Sequence, residues 1–326
     1  MLKKIIENVK LKKTEKKLKD LLKKSNKTYT FIINEIDSDI SKISFYKDIK
    51  ISKASMKDNI KKNFFSLFMI SLLEFLDISE ENKIKYGKCI FYIRGVITCT
   101  DNIIDDEKKG VIFLKGISEH VTENTLLMLL LYKNLENILS DLDEEKINIS
   151  YKILDEIHII AKSEGLRNCS LYDEYPSYRY IFDEIHSGIG GELLKIGLVA
   201  PSYLEDNKKI SACLEALYKL GLALQGLDDL CDMQEDYDER KINSGVAFFM
   251  EKYLITEEEA SKIDILKEEL TKEYLYEILD YALSSFEVLE NIGYPIDREL
   301  GVKILKTLFE IRGLKELWSL IENKFK

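Results

Sequence analysis

The stretch LGLALQGLDDLCDMQED, Leu220 to Asp236, begins apolar and ends on Asp228, Asp229, Asp232, Glu235 and Asp236. Apolar residues at three- and four-residue spacing give the first half a helical period. The acids keep that period, because Asp228, Asp232 and Asp236 fall at i, i+4 and i+8. On a helix such residues share one face, with Cβ atoms about 5–6 Å apart. Carboxylates so close repel one another, and a buried unpaired charge is costly. The stretch therefore predicts a helix whose acidic end meets cations.

The rest of the chain agrees with a helical reading. Only three prolines and 15 glycines punctuate 326 residues, which favours long helices. Asn63 to Leu76, NFFSLFMISLLEFL, reads as a buried helix, and Glu123 to Leu142 as an amphipathic one. One or two amphipathic helices are predicted up to Gly293, with Pro295 beyond, and a last amphipathic pattern fills residues 301–326. No alternating run is long enough to predict a sheet. The expected architecture is one all-α domain over residues 31–326, preceded by a lysine-rich helical segment, residues 1–30. That segment reads as a solvated helix capping the bundle, with contact to an anionic membrane surface as the alternative.

Composition narrows the function. An apolar fraction of 45% supplies a core, and the formal charge of −10 argues against a general nucleic-acid binder. Cys89, Cys99, Cys169, Cys213 and Cys231 show no metal-like spacing and read as free thiols of a reducing compartment. Three histidines make a His-rich metal site a poor expectation. No apolar run is long enough for a bilayer span, and the N-terminus lacks a secretory core. A cytoplasmic protein is expected.

A second acidic cluster follows another apolar stretch. TCTDNIIDDEKKG, Thr98 to Gly110, places Asp101 and Asp105 four residues apart, with Asp106 and Glu107 next. Two carboxylate ladders on separate helices, facing each other, suit hard divalent cations. Mg²⁺ takes oxygen ligands and is commonly shared between carboxylates and substrate phosphates. Solvated helix faces are the bland reading of either cluster alone. A calcium loop fits less well, because DDLCDMQEDYDE has no glycine.

These residues resemble the class I isoprenoid synthase superfamily: trans-prenyltransferases, terpene cyclases and squalene/phytoene synthases. QGLDDLCD, Gln225 to Asp232, is similar to the second prenyltransferase motif, Q-x-x-D-D-x-x-D. The same stretch fits the cyclase pattern of metal ligands at Asp228, Asp232 and Asp236. DNIID, Asp101 to Asp105, is similar to the first motif, with Asn102 where a second Asp is common and Asp106 as its substitute. The resemblance covers roughly residues 60–320 and is specific in its two motifs. It implies an all-α isoprenoid synthase-type bundle around a deep apolar cavity. It also implies a group of Mg²⁺ ions, expected to be three, and a prenyl diphosphate substrate. Asp101, Asp105, Asp228 and Asp232 become the catalytic carboxylates, and Asp101, Asp105, Asp106, Asp228, Asp229, Asp232 and Asp236 the metal ligands. Family members are often dimers, so a homodimer is expected.

Basic residues for the diphosphate follow from the same resemblance. Arg179 lies at the distance of a cyclase diphosphate-sensing arginine, with Gly188, Gly190 and Gly191 as a helix break; its other reading is a surface pair with Asp183. Arg240 and Lys241 could close over the diphosphate or neutralise Asp236 and Asp238. Arg312 matches the place of a late diphosphate-binding arginine. Arg94, two turns before Asp101, binds phosphate or pairs with an acid. Ile90, Phe91, Ile93, Ile97, Leu220, Ala223, Leu224 and Leu227 line a cavity or fill a core. An elongating prenyltransferase would need an early G-K-x-x-R-P element and an Arg-Arg pair after the first motif; EKKG follows instead. A Mg²⁺-dependent terpene synthase is therefore expected. A prenyltransferase or head-to-head synthase is the alternative within the family, and a catalytically silent helical binding protein the alternative outside it.

Overall fold

The computed structural model describes residues 2–51, 63–106, 108–110, 112–142 and 148–325; of residues 2–11 and 105 it describes the backbone alone. The expected all-α class is what the chain adopts. Its main helices are α1 (Leu2–Ile40), α2 (Phe64–Phe75), α3 (Glu80–Asp105), α4 (His120–Leu142), α5 (Ile149–Gly165), α6 (Lys209–Cys231), α7 (Met233–Asp238), α8 (Ser244–Tyr253), α9 (Leu270–Asn291), α10 (Arg298–Ile311) and α11 (Lys315–Ile321). Two three-residue strands, β1 (Ile49–Ile51) and β2 (Ile112–Leu114), pair antiparallel with Ile49 opposite Leu114. They are too short to leave an alternating signature in the sequence. Among the described residues no helix is long and apolar enough to cross a membrane.

The chain divides into two compact units, and α1 runs without interruption through residue 30. One unit comprises Lys16–Lys152 and Gly197–Ile210. Within it α2 is apolar on nearly every face and buried from Ser66 to Glu74. Glu74, wholly inside, is held by Lys83 on α3 at 2.8 Å and by Lys24 on α1 at 2.7 Å. Burying one carboxylate against two ammonium groups satisfies its charge and ties three helices at one point. α3 starts on Ser79, whose side chain accepts the Asn82 N–H, and stops at Asp106 in the left-handed conformation.

The other unit comprises Met1–Glu15, Ile153–Ile196 and Ser211–Lys326. At its centre a twelve-residue π-helix, Ile181–Glu192, continues directly from a helical turn at Tyr178–Tyr180. The break expected at Gly188, Gly190 and Gly191 is absent. These glycines instead let the π-helix approach its neighbours without side chains between them. A Cβ on Gly221 of α6 would lie 2.0 Å from the Gly190 carbonyl oxygen, and one on Gly191 would meet the Tyr218 ring at 2.4 Å. Ile181, Ile185 and Ile189 bury the opposite side of the π-helix against Ile242 and Ala247. π-helical turns are rare and recur at functional sites.

The C-terminal pattern resolves into α10 and α11, separated at Gly313, whose φ of +80° suits glycine. Gly293, φ +90°, ends the helix α9 as expected.

Gly221→Ala should destabilise the protein by about 2–3 kcal/mol, because the carbonyl that the new methyl meets is backbone and cannot turn aside. Urea unfolding of the two proteins measures this. An unchanged midpoint would show that the two helices are not in backbone contact.

Candidate functional site

The second acidic cluster closes α6. The helix ends at Cys231, and Asp232 leaves helical geometry (φ −103°, ψ 14°) before α7 begins. The backbone still bonds across this kink, with Asp232 N–H to the Asp228 carbonyl at 2.9 Å and Asp236 N–H to the Asp232 carbonyl at 2.8 Å. The acids are thereby kept one turn apart, yet their surroundings differ sharply.

Asp229 and Asp236 point into the protein. Asp229 is buried, and both of its carboxylate oxygens are occupied: Gln225 Nε2 donates to Oδ1 at 2.9 Å, His186 Nε2 meets Oδ2 at 2.8 Å, and the Ser244 N–H donates to Oδ2 at 2.7 Å. Burial alone would raise its proton affinity, but the His186 charge and hydrogen bond, helped by Arg167 and the Ser244 N–H, hold the carboxyl below the usual range. Asp236 is likewise buried, between Arg167 Nη2 on Oδ1 at 2.8 Å and Asn243 Nδ2 on Oδ2 at 2.7 Å. Desolvation outweighs Arg167 there and raises its carboxyl to about 7.

Asp228 and Asp232 face outward. Asp228 is partly exposed and pairs with Arg312, the residue that ends α10. Burial raises its carboxyl and Arg312 opposes the rise. Asp232 is exposed, and desolvation followed by the charges of Asp228, Glu235 and Asp229 raises it to about 6. Between them the Cys231 thiol is pushed up to about 12 by partial burial and by the carboxylates of Asp232 and Asp228. Beside Asp228 a narrow apolar slot of about 20 Å³, room for a single water, is lined by Leu220, Leu224, Leu227, Leu305, Phe309 and Arg312.

The first cluster ends α3 in the other unit. Asp101 is exposed, and Asp105 occupies the last helical residue. Asp106, 95% exposed, adopts φ +51° at the helix end. Asn102 is buried and closes the following turn: its Nδ2 donates to the Lys109 carbonyl at 2.8 Å and its Oδ1 accepts the Lys109 N–H at 3.0 Å. An amide does this work where a charged carboxylate could not donate. His120 Nε2 bonds the Asn102 carbonyl at 2.6 Å. Glu107 lies outside the described residues. Among the described residues no three His, Cys, Asp or Glu side chains already converge as a metal cage.

The basic residues divide. Arg312 sits on the second cluster, its partner being Asp228. Arg179 is 79% exposed and pairs with Asp183 at 2.6 Å, the surface arrangement its spacing allowed. Lys241 pairs with Glu239 at 2.7 Å. Arg240 takes a left-handed backbone, and its carbonyl accepts the Cys169 N–H at 3.0 Å. Arg94 donates to Asn63 Oδ1 at 2.8 Å and Ser66 Oγ at 3.1 Å. Arg167, which reaches the inward-facing acids of the second cluster, and its companions His186 and Asn243 carry no motif that marks them in the sequence. Ile90, Phe91, Ile93, Leu220, Ala223 and Leu227 are buried.

No protein-family model and no curated protein matches the chain. Among solved structures it is similar to a geranyltranstransferase from Thermotoga maritima, with a TM-score of 0.49, 15% identity, and 89% of this chain and 98% of that chain covered.

Raised carboxyls bind protons more tightly in the folded than in the unfolded chain, so they stabilise the fold on protonation. Between pH 4 and 7 the groups raised into that window are Asp232, Asp236 and Glu156, the last to about 6 by desolvation first and its bond to Glu192 second. The stability of the metal-free protein should therefore rise as pH falls from 7 to 5. Asp232→Asn should remove part of that slope and stabilise the protein near pH 7 by about 1 kcal/mol, allowing for solvent screening. Melting temperatures in chelator across this range test it. A wild-type slope in the variant would mean Asp232 is not held against its neighbours' charge.

Proposed function

We propose that the protein is a Mg²⁺-dependent class I terpene synthase, which ionises a prenyl diphosphate and converts the cation to a cyclised or eliminated product. The observation that carries this reading is the pair of outward carboxylates, Asp228 and Asp232, one helical turn apart, with Arg312 already drawn to Asp228. Carboxylates beside a guanidinium suit Mg²⁺ and a diphosphate.

The donor set fits the metal. Both oxygens of Asp229 and Asp236 are taken by protein donors, whereas Asp232 has a proton affinity raised by desolvation first and by neighbouring carboxylates second. A group in that state gains most from a hard divalent cation. Asp228 and Asp232 are the proposed metal-holding carboxylates of this unit, and Asp101, Asp105 and Asp106 those of the other. Bound Mg²⁺ would neutralise charge on the leaving diphosphate. Arg312, already at the cluster, would exchange Asp228 for a diphosphate oxygen, since guanidinium binds carboxylate and phosphate with the same fork. Arg240 and Lys241 follow the cluster directly and are the further proposed diphosphate partners, with Arg179 as the more distant one. The EKKG sequence after the first motif supports one-substrate chemistry over chain elongation.

Product analysis tests the reading. Purified protein with Mg²⁺ and geranyl, farnesyl or geranylgeranyl diphosphate should release a hydrocarbon or terpene alcohol and inorganic diphosphate. Asp228→Ala with Asp232→Ala should lower turnover at least 1,000-fold, the order expected when charge stabilisation at the leaving group is removed. Longer diphosphates formed only with added isopentenyl diphosphate would make the protein a prenyltransferase instead. No turnover, with no rise in melting temperature on adding Mg²⁺ and diphosphate, would leave a helical binding protein.

A further inference from the structure

One residue outside the expected set touches both inward-facing acids. Asn243 is fully buried, and every polar atom it has is used. Its backbone N–H donates to the Tyr175 hydroxyl at 2.8 Å, and its carbonyl accepts from that hydroxyl at 3.2 Å. Its Oδ1 accepts the Val246 N–H at 3.0 Å and so caps α8. Its Nδ2 donates twice, to the Asp229 carbonyl at 2.8 Å and to Asp236 Oδ2 at 2.7 Å. An amide nitrogen has two hydrogens, so both bonds can form together.

Resting on the function proposed above, we infer that Asn243 is the positioning residue of the second acidic cluster, and that Asp236 belongs to its brace and not to the metal ligands. The two groups that Asn243 joins, the Asp229 carbonyl and the Asp236 carboxylate, bracket the kink at Asp232. Fixing one against the other fixes the turn from which Asp228 and Asp232 project. Without the brace, repulsion among the carboxylates of this short stretch would open that turn. Arg167 completes the clamp from the far side through Asp236 Oδ1, and its carbonyl accepts the Ile242 N–H at 2.6 Å, which holds the chain that carries Asn243. A metal that took Asp236 as ligand would have to strip it of Arg167, which would keep only Glu164 at 3.6 Å, and of one hydrogen of the Asn243 amide, each at a desolvation cost. Placement to within about half an ångström is what a metal-holding pair requires of its supporting residues.

A reciprocal exchange tests this. Asn243→Asp keeps an oxygen to cap α8 but turns a carboxylate on the carboxylate of Asp236. Asp236→Asn keeps an oxygen for Arg167 but sets two amide nitrogens face to face. The double variant restores one donor and one acceptor across that gap, while the Asp229 carbonyl lacks its amide donor just as it does in Asn243→Asp. Mg²⁺ binding in the presence of inorganic pyrophosphate is read by calorimetry, and cooperative unfolding by urea, on all four proteins. Each single variant should weaken Mg²⁺ binding tenfold or more while still unfolding cooperatively, and the double should bind Mg²⁺ at least threefold more tightly than Asn243→Asp, from which it differs only across the 236–243 gap. Asn243→Ser, which retains a capping hydroxyl and lacks the donor, should weaken Mg²⁺ binding in the same way. If the double variant binds Mg²⁺ no better than Asn243→Asp, Asp236 is a ligand and the inference fails. It also fails if single variants lose stability while the folded fraction binds Mg²⁺ at wild-type strength, since Asn243 would then be structural only. Wild-type protein that binds no Mg²⁺ would overturn the function reading itself. The unfolding cycle would still report on the brace, and absence of coupling between positions 236 and 243 would dismiss it.

Discussion

The buried carboxylate of Asp229 is the constraint around which its unit is arranged. A charge taken out of water must be repaid by geometry, because an isolated carboxylate in a low-dielectric interior is prohibitively unfavourable. Here the donors arrive from three directions: Gln225 on the same helix, His186 from the π-helix, and the Ser244 N–H at the start of α8. Each can reach only if its element lies where it does. The Gly190–Gly221 contact brings the π-helix close enough for His186, and the Asn243 cap turns α8 so that its first N–H points inward. Ser244 extends the network to Tyr274, whose hydroxyl also donates to the Gly226 carbonyl at 2.8 Å. Such networks specify one arrangement when every member is satisfied.

The same stretch shows how neighbouring acids acquire separate work. Asp228 and Asp229 are adjacent, yet one faces solvent and the other the core. Asp232 and Asp236 are one turn apart, yet the first is crowded by like charge and the second is enclosed by donors. Environment rather than residue type assigns the roles. A cluster of four aspartates thus divides into two that anchor the chain from inside and two that face outward, one of them paired with Arg312.

Much of this was legible from order alone. α2 and α4 follow the apolar period almost to the residue, and both acidic clusters end strongly apolar helices, as their spacing requires. Three things were not legible, for identifiable reasons. A glycine that breaks a helix and one that admits a neighbouring backbone look alike in sequence, so the π-helix was read as an interruption. Gly313 sits inside an unbroken amphipathic pattern, so the division of α10 from α11 was hidden. Arg167, His186 and Asn243 act only through partners distant in the chain, and no period or motif connects them to the aspartates they serve. The i, i+4, i+8 ladder places Asp228, Asp232 and Asp236 on one face, but the kink at Asp232 turns Asp236 inward. Arg312 was noticed for its place, while its partner Asp228 became visible only in three dimensions.

Cys231 gives the acidic turn an indicator of its own. Its sulfur lies between Asp228 and Asp232 in sequence, and its reluctance to ionise is set in part by their negative charge. Only the thiolate attacks an alkylating reagent, so the rate of its modification depends on how much of that charge is cancelled. Any cation that settles on the two aspartates is thereby written into the chemistry of a neighbouring sulfur, without a label having to be introduced.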